Sequence, residues 1–200
     1  MYRFFESIAI INGQVRNLEY HQDRVNRTFA KFYKASNLLV LKDVIHESIL
    51  NKEGKFKCKV LYNNLKHDLY FEKYSQKVIK NHYLVDIGRV EYNFKYVNRN
   101  YLLRYCNNDL NSHALFFKKN LLTDGEFANI ILNNGISWVT PKTALLEGTM
   151  RRYLLDQKRI ILKDIAIEDL HQYNSFKLIN ALNSFEEAKE YSISDIIFKL

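Results

Sequence analysis

Apolar and polar residues alternate weakly from Phe4 to Ile11, and the run stops at Asn12-Gly13 before Gln14-Val15-Arg16. Asn-Gly between apolar runs is a strong hairpin signal, because both central residues tolerate positive φ. The pattern therefore predicts a strand over 4–11 and a tight turn. The period then lengthens: Leu18, His21, Val25, Phe29 and Phe32 recur every three or four residues, which predicts a helix with Asn17 as its N-cap. Leu41, Val44, Ile45, Ile49 and Leu50 predict a second helix ending before Gly54. Phe56, Cys58, Val60 and Tyr62 alternate with lysines and predict a strand, with residues 68–74 returning beside it.

Residues 84–94 carry no clear period, and 98–110 reads as helical. Strands are predicted over 113–117, 127–132 and 136–139, with Asn133-Asn134-Gly135 turning between the last two. A helix over 149–156, a strand over 159–162, a short helix over 167–172 and a strand over 176–181 complete the reading. The expected organisation is an α+β lobe over 1–86, a connection over 87–94 and an α/β lobe over 95–200.

Composition narrows the class. A chain of 200 residues with 47% hydrophobic and 14% aromatic content is a folded protein with a substantial core. No apolar run approaches the roughly 18 residues that suggest a membrane helix. The start, Met1-Tyr2-Arg3-Phe4-Phe5-Glu6, is unlike a signal peptide. Cys58 and Cys106 lie far apart and form no CxxC or metal-ligand spacing, so reduced thiols in a cytoplasmic protein are expected, and no metal. The net charge of +8 raises the question of nucleic acid. The basic residues are dispersed, however, with no basic block interleaved with exposed aromatics, and neither nucleic acid nor membrane is an expected partner.

Backbone punctuation is concentrated in one place. Three of the six glycines (Gly125, Gly135, Gly148) and the single proline, Pro141, fall between 123 and 151. The pattern there is strand, turn, strand, then a loop opening at Gly148 into the helix that starts at Thr149. A helix start presents unpaired N–H groups and a positive dipole end, so this region is a natural cradle for a phosphate-bearing small molecule.

Five stretches, in order, carry a resemblance that covers nearly the whole chain. They are His21-Gln22-Asp23-Arg24, Lys95-Tyr96-Val97-Asn98-Arg99, Thr123 to Leu132 with its Ala128-Asn129, Thr140-Pro141, and Gly148-Thr149-Met150-Arg151. Together they resemble the class IV aminotransferase family of fold-type-IV pyridoxal-phosphate enzymes. That family includes branched-chain and D-amino-acid aminotransferases and 4-amino-4-deoxychorismate lyase. The Lys-x-x-Asn-Arg motif is similar to the lyase branch.

The resemblance implies a two-lobed, D-amino-acid-aminotransferase-like fold of mixed α/β and α+β character, lacking the family's first N-terminal strand. It implies pyridoxal 5'-phosphate as cofactor, with Lys95 as the catalytic amine that holds it covalently and serves as base once displaced. By spacing from Asn129 the family's pyridine-binding glutamate falls on Asp124, one methylene shorter. Glu126 is the alternative, since residues 124 and 126 would share a strand face. Arg24 and the backbone N–H groups of Thr149 and Met150, at the Gly148 helix start, are implied for the phosphate. Asn180, in Asn180-Ala181, matches a late segment near the phosphate and the substrate carboxylate. Phe5 stands where some relatives have tyrosine. An arginine that some members use for a carboxylate matches Asn64, which leaves Lys57 and Lys59 as candidates or as a solvated strand edge.

The implied activity is a lyase or transaminase acting on a small amino-bearing carboxylate, aminodeoxychorismate-lyase-like in the first instance. Amino-acid transamination is the alternative within the class. A non-catalytic binding protein that keeps the fold is the alternative outside it. The resemblance also implies a homodimer.

Overall fold

Alternation along β1 (Phe4–Ile11) sends Phe4, Ile8 and Ile10 into a core where each is fully buried. In the computed structural model, which describes residues 2–34, 39–46, 53–106 and 111–198, β1 turns through Asn12 (φ 49°) and Gly13 (φ 75°) into β2 (Gln14–Val15). It also pairs antiparallel with β3 (Lys55–Tyr62), which pairs with β4 (His67–Lys73), giving the order β2-β1-β3-β4. Helix α1 (Leu18–Tyr33) packs Val25 and Phe29 against Phe4, Ile8, Cys58, Val60 and Tyr62, and α2 (Leu41–His46) adds Leu41 and Ile45. Asn17 begins α1 in a left-handed conformation (φ 51°) and makes no side-chain cap bond. It redirects the chain rather than capping it. The expected continuation of α2 to residue 50 lies outside the described residues.

The chain divides differently from the expected lobes. One unit comprises 1–75 with 94–98, and the other 76–93 with 99–200. Aromatic packing is the reason. Phe94 meets Phe32 with ring centroids 4.7 Å apart, and Tyr96 meets Phe4 at 5.2 Å. Backbone bonds from the Phe5 N–H to the Lys95 carbonyl and from the Val97 N–H to the Arg3 carbonyl, both 3.0 Å, lay the segment along β1. Lys95 therefore belongs to the first unit.

The second unit begins with β5 (Asn81–Asp86), a segment read from residue 84 as irregular, and a short α3 (Asn100–Leu103). The helix expected over 98–110 is thus brief among the described residues; 107–110 lie outside them. Next come β6 (Ser112–Lys118), β7 (Leu121–Gly125), β8 (Asn129–Asn133) and β9 (Trp138–Pro141). After helix α4 (Thr149–Asp156) follow β10 (Ile161–Lys163), a 3-10 turn at Ile167–Gln172, β11 (Ser175–Ile179), β12 (Glu190–Ser192) and β13 (Ile196–Phe198). They form two sheets, β13-β5-β6-β7 and β10-β9-β8-β11-β12. Leu84, Leu115 and Leu122 from the first sheet share a core with Ile130, Leu132, Val139, Phe176 and Leu178 from the second. The other side of β8 packs Ile131 against Met150 and Leu154 of α4. Residues 130 to 132 are buried on both faces, which explains the unbroken apolar run there.

Strand β7 was expected only as a strand carrying residues 124 and 126, without bounds. It is reached through Lys119 (φ 50°) and Asn120 (φ 62°), a tight turn built without glycine. Asp124 lies on β7 and Glu126 past its end, so the expected shared strand face for these two acids does not form. No described helix is long and apolar enough to cross a membrane.

Candidate active site

In the first unit, Glu6 occupies an inward position of β1 and is fully buried. A buried carboxylate needs partners, and α1 supplies them on successive turns. Arg24 Nε donates to Glu6 Oε1 at 2.8 Å, Arg24 Nη2 to Oε2 at 2.5 Å, and His21 Nδ1 lies 2.6 Å from Oε2. Burial alone would push the Glu6 carboxyl up. Arg24 and His21 outweigh it and hold the group near a pKa of about 2. Burial lowers the proton affinity of His21; Glu6 opposes that, while Arg24 and Lys95 add to it. Arg24, read as a phosphate ligand, is thus fixed in orientation by a carboxylate that the sequence reading did not pick out. A signal was present: Phe4, Glu6, Ile8 and Ile10 alternate as one inward face, with a charge in second place.

Lys95 reaches the other neighbour on β1. Its Nζ is 5.0 Å from the centre of the Phe5 ring, and Lys59 Nζ is 5.5 Å from the same ring. Lys57 instead forms an ion pair with Glu72 on β4. Of the two lysines considered for carboxylate recognition, Lys59 shares the Phe5 ring with Lys95.

In the second unit, Asp124 is buried at the end of β7. Its Oδ1 accepts from Asn129 Nδ2 at 2.7 Å and its Oδ2 from the Leu146 N–H at 2.9 Å. Asn129 Nδ2 also donates to the Leu146 carbonyl at 2.9 Å, so one amide and one carboxylate fix the loop leading to α4. Burial raises the Asp124 carboxyl to about 7, against the pull of Leu146, Asn129 and Arg151. Gly148 sits directly on Asn129: a Cβ there would lie 1.8 Å from Asn129 Oδ1. Gly148 is also the N-cap of α4 and offers no side-chain bond to the first turn, whose N–H groups belong to Thr149 and Met150. The Met150 side chain is buried in the core beside α4, so only its backbone faces the loop.

The rest of the Gly-Thr-Met-Arg motif is structural. Arg151 is buried and donates from Nε to Thr140 Oγ1 at 3.1 Å and from Nη2 to the Pro141 carbonyl at 2.7 Å, tying α4 to β9. Asn180 spends its side chain on a turn. Its Oδ1 accepts from the Leu182 and Asn183 N–H groups at 2.8 and 3.0 Å, and its Nδ2 donates to the Phe127 carbonyl at 3.1 Å. Glu126 is half-buried and its carboxyl is pushed up by burial, while the Cys106 thiol hydrogen-bonds to it and Arg99 and Lys77 pull it down. Burial and Glu126 raise that thiol to about 12. The structure thus gathers Asp124, Gly148, Thr149 and Met150 at one loop, with Asn129 as the link between them, and sets Glu126 apart on the far side of Gly125.

Known proteins share the fold and much of the sequence. The class IV amino-transferase model matches residues 3–190. A structure from Haemophilus somnus 129PT, described as a candidate 4-amino-4-deoxychorismate lyase, is 32% identical with a TM-score of 0.86, over 92% of this chain and 98% of that one. An uncharacterised protein of Haemophilus influenzae Rd is 28% identical over 186 residues, 92% of this chain and 99% of its own length. A hypothetical aminotransferase from Mycobacterium tuberculosis, solved with pyridoxal phosphate bound, shares the fold at 11% identity and a TM-score of 0.76, over 94% of this chain and 80% of its own. The match along nearly the whole chain, with the motif residues built into both units as described, identifies this protein as a member of the class IV aminotransferase family.

Proposed function

We propose that the protein is a pyridoxal-phosphate-dependent enzyme acting on a small amino-bearing carboxylate, with an aminodeoxychorismate-lyase-like reaction. The observation that carries the reading is Asp124. It is a buried carboxyl at the end of β7, with fixed donors on both oxygens and a pKa raised to about 7, bonded to the loop that opens α4. Such a group suits a heteroaromatic nitrogen that must be kept protonated, because a neighbouring cation returns the carboxyl to its charged form.

The other residues fit the same cofactor. Arg24 presents a guanidinium held in one plane by Glu6. The α4 start presents the Thr149 and Met150 N–H groups behind a glycine with no side chain in the way. Bound to the protein, pyridoxal phosphate supplies an electron sink for a carbanion formed next to the substrate amine. Lys95 would hold the cofactor and, once displaced by substrate, take a proton from the substrate carbon and return it elsewhere. Asp124 would hold the cofactor's pyridine nitrogen in its protonated form. Lys59, beside Lys95 on Phe5, supplies a positive charge for the substrate carboxylate. The lyase assignment over transamination is supported by the Lys95-x-x-Asn98-Arg99 motif and by the Haemophilus somnus relative.

The test is direct. Protein loaded with pyridoxal phosphate is reduced with borohydride and the labelled peptide is mapped. A label on Lys95, with elimination from 4-amino-4-deoxychorismate and no amino transfer to 2-oxo acids, is the expected result. A label elsewhere removes Lys95 from its role. Amino transfer without elimination replaces the lyase by a transaminase.

A further inference from the structure

Two buried histidines have no part in the reading above. Strands β5 and β6 run parallel in a register that sets His82 opposite His113, and both imidazoles are buried. His113 Nε2 lies 3.0 Å from the backbone nitrogen of Glu126. That N–H is shared with the Ala114 carbonyl at 2.9 Å, so Nε2 is an acceptor and the ring proton sits on Nδ1. The ring also presses on Gly125, where a Cβ would fall 2.5 Å from Nε2. Gly125 in turn donates its N–H to the Ala128 carbonyl at 2.8 Å, closing the turn after β7. The peptide that follows Asp124 is therefore clamped between an imidazole nitrogen, the β6 backbone and its own turn.

Asp124 immediately precedes that clamp on β7. Its oxygens meet Asn129 Nδ2 and the Leu146 N–H at 2.7 and 2.9 Å, and both bonds are set by where β7 ends. Burial, His82 and Lys77 favour the neutral ring of His113. His82 stands across from it on β5, with ring centroids 6.5 Å apart, and Lys77 adds positive charge from the segment before β5. Glu126 offers its N–H, and its carboxyl engages Cys106 and Arg99 instead. On the remaining sides the ring meets Phe127 at 6.0 Å, and Leu178 of β11 adjoins Gly125. A protonated ring would point an N–H at the Glu126 N–H and open the turn.

We propose that His113, held neutral with its proton on Nδ1, is a positioning residue that fixes the end of β7 and so places the Asp124 carboxyl. The proposal rests on the cofactor role given to Asp124 only for its effect on cofactor binding; the placement itself is a property of the free protein.

The first measurement needs no cofactor. In apo-protein labelled with 15N-histidine, 15N-glutamate and 13C-aspartate, the expected His113 spectrum is that of the Nδ1–H form, unchanged from pH 8 to 5. His113→Leu is expected to displace the Asp124 titration and the Glu126 amide resonance, and His113→Gln, whose side-chain oxygen still accepts, to restore both. Pyridoxal phosphate binding, followed by fluorescence, should weaken roughly tenfold in His113→Leu, the size of one lost positioning hydrogen bond, and recover in His113→Gln. An Nε2–H form in the wild type, or an Asp124 titration identical in folded His113→Leu, overturns the proposal. If His113→Leu fails to fold, the wild-type ring form and the His113→Gln titration decide. If the wild type binds no cofactor while the Asp124 titration still shifts, the proposed function falls and the placement by His113 stands.

Discussion

The guanidinium of Arg24 is joined to the Glu6 carboxylate by two hydrogen bonds, 2.8 and 2.5 Å long, in a position where Glu6 is wholly buried and Arg24 nearly so. A bidentate pair of this kind fixes the plane of the fork as well as its charge. The pairing gives the first unit a rigid cation on α1, and it makes Glu6 a residue whose loss is felt twice. Removing one partner of a buried pair leaves the other charge uncompensated, at a cost of about 3 to 5 kcal/mol.

Glu6→Gln is therefore expected to lower unfolding stability by about 3 to 5 kcal/mol in urea titrations at pH 7. The pH profile should change as well. The Glu6 carboxyl titrates at about 2 when folded, below its usual 4.5, so its contribution is complete above pH 4.5 and is lost as pH falls toward 2. The variant should lose that part of the acid slope. An unchanged slope would remove Glu6 from the account.

His82 and His113 predict a second acid sensitivity, in a higher window. Burial lowers His82 to about 4 and His113 to about 3, both below the ordinary 6.5. Neither ring nitrogen of His82 has a hydrogen-bond partner among the described residues. A histidine whose folded pKa is depressed favours the folded state above its unfolded pKa. Stability should therefore be full above pH 6.5 and fall as pH drops from 6.5 toward 3, because the unfolded chain takes up the protons first. His82→Phe keeps an aromatic ring against Phe176 and Tyr191, whose centroids lie 5.0 and 4.2 Å away, and removes one titrating group. The expected outcome is a shallower loss of thermal stability between pH 6.5 and 4.

Gly148 predicts a steric failure. Its backbone, at φ −69° and ψ 142°, is open to any residue, so alanine there carries no conformational penalty. The obstacle is Asn129 Oδ1, 1.8 Å from the new Cβ. Gly148→Ala should push Asn129 aside, break its bonds to Asp124 and Leu146, and cost about 3 kcal/mol. Adding Asn129→Ala to Gly148→Ala should cost less than the sum of the two single changes, which a double-mutant cycle in urea measures.

These expectations show which parts of the molecule were legible in its sequence. Strand β1, the Asn12-Gly13 turn, α1 and α4 were readable because local period and turn chemistry agree with the fold at each of them. The bounds of β7 were hidden because its turn, Lys119-Asn120, adopts positive φ without a glycine to announce it. Strand β5 has a short period-two signal, with His82 and Leu84 buried, but its inward histidine disguises the apolar face. The short edge strands β12 and β13 carry three residues each, too few to show a period. At the site, Asp124 came from the resemblance to the family, counted from Asn129, and the Gly148 loop from the clustering of glycines and the single proline. Glu6 and His113 needed a different question: which residue on an inward strand position is polar, and what answers it.

Asp124 poses the last prediction, in which stability and function should move in opposite directions. Its carboxyl is raised from 3.8 to about 7 by burial. A carboxyl with a raised folded pKa favours the folded state most below pH 3.8, and that contribution is lost as pH rises to 7 and above. At pH 8 the folded protein holds a buried charge that costs free energy, though the donors at Asn129 and Leu146 offset part of it. Asp124→Asn removes the charge and keeps an oxygen for one of those donors. It should leave stability at pH 8 unchanged or higher by about 1 to 2 kcal/mol, and it should abolish the decline between pH 4 and 7. The same change removes the only charge Asp124 can offer a pyridine nitrogen, so turnover should fall about a hundredfold or more. Urea unfolding at pH 4 and 8, set beside steady-state kinetics, checks both signs. A variant that loses stability and activity together would make Asp124 a structural residue of the loop, whereas a stable, inactive one supports the role proposed for it.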